Sequence, residues 1–154
     1  LLVDLDERAA AADVPRMAER LLGATGWLRA HEPGSIGCLC SGAAAAAALL
    51  AAALRPTEVH GLVSRFGYPE LAGAGLLLAS VPALLLVDAH EPRRLATHKA
   101  VARRLRGPTQ LELFSGVKSV PPSRLEERVA TEAARWFATW LRPRWSRLPP
   151  RASA

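Results

Sequence analysis

The stretch Ser35-Ile36-Gly37-Cys38-Leu39-Cys40-Ser41-Gly42, followed by six alanines and Leu49-Leu50, constrains the fold more than any other part of the chain. A short apolar run, a turn of small residues and a long alanine run predict a strand that passes sharply into a helix. Small residues at such a turn let the strand and helix backbones come close together. The start of the helix offers unpaired N–H groups and the positive end of the helix dipole, a setting that favours a thiolate or an oxyanion.

The same alternation runs along the rest of the chain. Leu1–Leu5 reads as a first strand without a lead-in, ending at Asp4 and Asp6, as in a chain that starts inside its first structural unit. Asp13-Val14-Pro15 opens a helix, with the aspartate as N-cap and the proline in the first turn. Its apolar positions Val14, Met17, Ala18, Leu21, Leu22 and Leu28 follow helical spacing, and Pro33-Gly34 closes it. Ser35–Cys40 is the second strand and Ser41–Leu54 the helix after it. Val59–Ser64 is the third strand, followed by a short helical or irregular stretch to Ala79. Ala83–Val87 is a continuous apolar run of the kind that is buried on both faces. Pro92–Arg106 is a helix, Gln110–Phe114 a fifth strand, and Ser123–Leu141 the closing helix. Strands alternating with helices predict a mainly parallel five-stranded sheet with helices on both faces. Residues 1–141 form this α/β domain, and residues 142–154, rich in Pro, Arg and Ser, are expected to be disordered.

Charge and composition exclude several classes. The formal charge is +6, but nearly all the cations are arginines spread over helices and the tail, with no aromatic-basic strand pattern and no DNA-binding motif, so no nucleic-acid partner is expected. No apolar run has the length of a membrane span, since Gly73, Gly75 and Pro82 interrupt the longest, Leu71–Leu86. Two cysteines at i, i+2 on one strand share a face and bridge poorly, so a reducing cytoplasm is the default compartment. His31, His60 and His98 lack metal-ligand spacing and read as surface or helix-face residues. There is no phosphate loop and no dinucleotide turn, so neither cofactor nor metal is expected. The residues do not give an oligomeric state.

In an open parallel sheet the ligand site lies beyond the carboxyl ends of the strands. Centred on Cys40, the turn reads C-x-C-x-G, a variant of the G-x-S-x-G elbow that exposes a nucleophile between strand and helix. Cys40 is thus the candidate nucleophile, or a small buried apolar residue; Cys38 reads as packing, and Ser41 ranks behind Cys40. Arg65 would hold a substrate carboxylate bidentately or pair with a nearby acid. Asp88 would orient a base or cap the following helix.

Taken together, these residues resemble the C-terminal two-thirds of an α/β-hydrolase of the dienelactone hydrolase-like group, some of whose members are fused to a phosphoribosyltransferase domain. The resemblance is carried by Cys38–Ala48, by Pro82–Val87 with His90-Glu91-Pro92, and by Leu111–Gly116. Its most specific part is Val63-Ser64-Arg65-Phe66-Gly67-Tyr68-Pro69-Glu70-Leu71-Ala72-Gly73, where the group has Val-Ser-Arg-Gly-Gly-Arg-Pro-Asp-Leu-Ala-Gly. The resemblance implies a truncated α/β-hydrolase fold acting on a small ester or lactone, with Cys40 as nucleophile. It puts His90 at the acid position, with Asp88 two residues earlier, and Ser119 at the histidine position. A nucleophile of this type needs a base within hydrogen-bond reach and an acid behind it. His90 is the expected substitute base. The catalytic set is degenerate, and weak hydrolysis is expected, or else a non-catalytic binding or association module or a gene fragment. The loop that donates an oxyanion-hole N–H in this fold is expected upstream of Leu1.

Overall fold

A computed structural model describes residues 2–32 and 34–141, with side chains from Asp13 onward. In chain order the elements are α1 (Leu2–His31), β1 (Gly37–Ser41), α2 (Ala44–Leu54), β2 (Gly61–Arg65), a 3-10 segment (Pro69–Leu77), β3 (Ala83–Asp88), α3 (Pro92–Arg104), β4 (Thr109–Phe114) and α4 (Pro122–Trp140). The strands form one four-stranded sheet in the order β1-β2-β3-β4, every pair parallel.

The sheet therefore has four strands among the described residues, not five. The expected first strand falls instead in the opening turns of α1, with Leu1 outside the described residues. Five residues of mixed apolar and acidic character specify a strand only if a neighbour pairs with it. A helix satisfies its backbone groups locally, and the Glu, Arg and Ala residues of Glu7–Ala12 favour it. Asp13 is accordingly inside α1 rather than at its cap, and Pro15 is an interior proline. A proline there costs about 3 kcal/mol in isolation, which the burial of Val14 and Ala18 beside it helps to offset. The tail from Arg142 lies outside the described residues.

Helices cover both faces. On one, Val14 and Ala18 of α1, six residues of α2, Leu76 of the 3-10 segment and Val101 of α3 pack on Leu62, Ala83 and Leu85. On the other, Leu125, Val129, Ala133 and Trp136 of α4 pack on Val63, Leu84, Leu86 and Phe114. All six residues of β3 are buried, as its unbroken apolar run requires. The alanines of α2 remove side-chain bulk between helix and sheet, so β1 and β2 run straight into the turns that carry the candidate site. His98, expected on a surface or helix face, is on the inner face of α3, fully buried, and hydrogen-bonds Arg94 O through Nδ1 at 2.9 Å. Its apolar surroundings hold it below the usual histidine range, so it is neutral.

Candidate functional site at the carboxyl edge of the sheet

β1 ends at Ser41, and the chain reverses at Gly42, whose φ of 55° lies in the left-handed region. α2 starts two residues later. A Cβ added at Gly42 would meet nothing within 4 Å, so a side chain at this apex would project into open space. The Gly42 carbonyl accepts the N–H of Ala45 at 3.3 Å and that of Tyr68 at 3.0 Å, which ties the loop after β2 to the elbow. That loop lies so close that a Cβ on Gly67 would come within 2.8 Å of both Ala45 Cβ and Ser64 Oγ, so only glycine fits. Phe66, before it, takes a φ of 47°, and the resembling group has glycine there. A left-handed non-glycine residue costs about 1–2 kcal/mol, so this corner is strained.

Cys40 is the fourth residue of β1, in register with Ser64, and precedes the apex by two residues. It shares a face with Cys38, toward α1 and α2, while Leu39 points the other way and is 51% exposed. Both cysteines are free. The neighbouring Cys38 thiol, with burial and the charge a Cys38 thiolate would carry, pushes Cys40 far above the usual thiol range. The Cys40 thiol in turn lowers Cys38, against its burial. Ser41, exposed at the end of β1, is in register with Arg65.

Arg65 is engaged by the Glu126 carboxylate of α4. Asp88, buried at the end of β3, accepts the His90 N–H on Oδ1 at 2.9 Å, and the same oxygen lies 3.4 Å from His90 Nδ1. Asp88 thus shapes its own turn rather than capping α3, whose N-cap is Glu91. The imidazole of His90 is 72% exposed. β2 separates the strand of Asp88 from that of Cys40, which sets those strands roughly 10 Å apart. Ser119 is exposed in the turn after β4, its N–H bonded to Gly116 O at 2.9 Å. The structure thus joins Asp88 to His90 and leaves Cys40 with Cys38.

Two features were missed in the sequence. Gly42, not Cys40, forms the apex; the signal was the only glycine between strand and alanine run. Arg94 is the other: it donates to Gly67 O at 3.1 Å, lies 3.9 Å over the Tyr68 ring, and meets Glu91 at 3.6 Å. Glu91 also holds Lys118 at 3.1 Å, so loops after β2, β3 and β4 are joined through one pair. Glu91 and Arg94 form a local i, i+3 pair, but nothing in the sequence signals its reach to Gly67, Tyr68 and Lys118, which are far away in the chain.

The chain's structure is similar to that of a dienelactone hydrolase from Anabaena variabilis, with a TM-score of 0.74 and 31% identity, over 84% of this chain and 62% of that one. The fold is α/β-hydrolase-like. A predicted CIB-like hydrolase from Thermoplasma acidophilum shares it at a TM-score of 0.57 and 16% identity, over 79% of this chain and 60% of that one, a likeness of fold alone. In sequence, two proteins from strains of Mycobacterium tuberculosis, each named "Putative phosphoribosyl transferase", are 35% identical over 140 residues. That match covers 87% of this chain, and the chain spans 31% of the length of these curated relatives. No family profile matches the chain. No described helix is long and apolar enough to cross a membrane.

Proposed function

We propose that this chain is a dienelactone hydrolase-like domain that receives a small ester or lactone at the carboxyl edge of its sheet and turns it over weakly through Cys40. The observation that carries the reading is the elbow, with its strand, left-handed turn and helix start intact, in a structure similar to a dienelactone hydrolase. Weakness follows from the groups around it. Cys40 is held as a thiol, His90 rests on Asp88 two strands away, and Ser119 cannot act as the base expected there. General-base help is typically worth ~10²–10⁴-fold, and its loss leaves the helix start as the main stabiliser of an oxyanion. Arg65, Ser41 and the loop after β2 would contact the substrate. Arg65 must then exchange Glu126 for a substrate carboxylate.

One observation favours a second reading, a binding module without turnover: the apex position itself carries no side chain. Burst and steady-state assays on a short-chain nitrophenyl ester separate the two. Under the first reading a small wild-type rate vanishes in Cys40→Ala, falls in His90→Ala, and rises when His90→Asp and Ser119→His are combined. Under the second, wild type matches the uncatalysed rate and only Gly42→Cys gives a burst. Robust wild-type turnover that survives Cys40→Ala defeats both.

A further inference from the structure

The outer face of α3 carries a row of cations that the fold leaves unpaired. Residues 92–111 contain six Arg and Lys residues and no acid, as many as the net charge of the whole chain, so the remainder is neutral overall. Arg94 turns inward to Gly67 O and Glu91. The others, Arg93, Lys99, Arg103, Arg104 and Arg106, are exposed. At about 100° per residue, the first four share one side of α3 with Ala96 and Ala100, opposite the buried His98 and Val101. Arg106 follows in the turn beyond. Among the described residues no ion pair engages any of the five, and only Arg104 makes a side-chain hydrogen bond, to Gly73 O at 3.4 Å. The helix itself does not favour this arrangement. Arg93 lies in the first turn, at the positive end of the helix dipole, and that turn holds no acid. Lys99 and Arg103 repel each other at i, i+4 spacing. Charges placed against local stability point to an external anion.

The face also selects among anions. A helix that lies in a membrane surface needs large apolar side chains beside its cations, and here only alanines stand there. Single-stranded nucleic acid is held by stacking on aromatic rings, and α3 has none. An extended acidic peptide carries at most one charge per ~3.3 Å, whereas a nucleic-acid duplex carries one per ~1.7 Å of its axis. The row from Arg93 to Arg104 runs roughly 16 Å, so the duplex sets the denser charge against it. Arginine, which supplies most of the row, also fits phosphate oxygens with two parallel donors. We infer that the outer face of α3 binds the phosphate backbone of a nucleic-acid duplex without reading its sequence. The chain shows no base-reading motif, and contacts confined to phosphates need none. The inference uses no residue of the elbow, so it does not depend on the ester or lactone reading.

The test is the fluorescence anisotropy of a labelled DNA duplex of about 20 base pairs, titrated with the full chain between ~50 and ~200 mM salt. Kd should lie at about 1–100 µM in the lowest salt, and log K should fall against log salt with a slope of about −3 to −4, the value for four phosphate contacts. A second duplex of unrelated sequence should bind within about two-fold of the first. Arg93→Gln, Lys99→Gln, Arg103→Gln and Arg106→Gln together should weaken binding at least about ten-fold and flatten the slope by about one per lost contact. The control is Arg142→Gln, Arg144→Gln, Arg147→Gln and Arg151→Gln, which removes the same charge from the tail and should weaken binding by less than about three-fold. If the α3 variant loses its circular-dichroism signal, Lys99→Gln with Arg103→Gln, which relieves a repulsion, is compared with Arg147→Gln and Arg151→Gln instead. Absence of binding at about 1 mM protein in the lowest salt overturns the inference. So does an equal loss in the α3 and tail variants, or better competition by polyglutamate or phosphatidylserine vesicles than by unlabelled duplex at equal charge.

Discussion

Cys40 and Gly42 are two residues apart and sit in opposite chemical settings. Cys40 faces the core beside another sulfur, whereas a side chain on Gly42 would stand in open space at the start of α2. A thiol at that second place gains from the unpaired N–H groups of the helix; Cys40 gains nothing comparable. Iodoacetamide should therefore label Cys40 slowly near pH 7.5. In a background of Cys38→Ala and Cys40→Ala, Gly42→Cys should label at least about ten-fold faster, at a stability cost of ~1–2 kcal/mol for its left-handed backbone. Fast labelling of native Cys40 would restore it as an activated thiol. His98 makes a prediction of the opposite kind, about stability rather than reactivity. Burial lowers its folded-state pKa, and the unfolded chain takes up the proton more readily. The stability it contributes is present above about pH 6.5 and is lost as pH falls through the folded value. His60, also lowered by burial and by Arg29, acts in the same direction. Urea unfolding between pH 5 and 7 should show stability falling with acid, and His98→Leu should flatten that slope. An unchanged slope would mean that His98 can meet its proton without opening the core.

At the scale of elements, β1 and β3 show how position in the sheet decides what a residue is worth. Leu85, in the middle of β3, is fully buried, while Leu39, in the middle of β1, is half exposed at an edge. Leu85→Ala should cost about 2–5 kcal/mol and Leu39→Ala no more than about 0.5 kcal/mol, both read by chemical denaturation. A large loss at Leu39 would mean that something covers β1 in solution. The difference was legible in part: Ala83–Val87 is unbroken and apolar, and only a strand covered on both faces needs that. The elbow was legible for the same sort of reason, because small residues and an alanine run have few other uses between a strand and a helix. Its centre was not, since either register of the motif fits the letters and only the backbone shows that the left-handed residue is Gly42. The reading of Leu1–Leu5 failed because strand pairing depends on a partner that local sequence does not contain. The reach of the Glu91–Arg94 pair to Gly67 and Lys118 escaped for that reason too: those contacts exist only once three loops have been brought to one edge.

The whole sheet is covered unevenly. Among the described residues, three helices and the 3-10 segment pack on one face, whereas α4 alone covers the other, centred on β2 and β3. On that face Gly37 lies under Phe137 and Leu141, but Leu39, two residues on, is left open. β1 is also an edge of the described sheet, and its sequence Gly-Cys-Leu-Cys-Ser carries neither a charge nor a proline. Such an edge is a template for pairing with another chain, and proteins commonly guard against this with lysine. β4, the other edge, carries Glu112 and so has that protection. We therefore expect concentrated solutions of this chain to scatter light, and Leu39→Lys to raise the concentration at which scattering begins. Because Leu39 makes little of the core, the midpoint of thermal unfolding should stay where it was. The comparison that isolates the edge is Leu113→Lys on β4, a similarly exposed leucine that should leave the onset nearly unchanged. If both lysines raise the onset equally, added charge is the cause and the β1 edge is not. If Leu39→Lys lowers the unfolding midpoint instead, β1 is packed against something in solution, and its open edge is already in use.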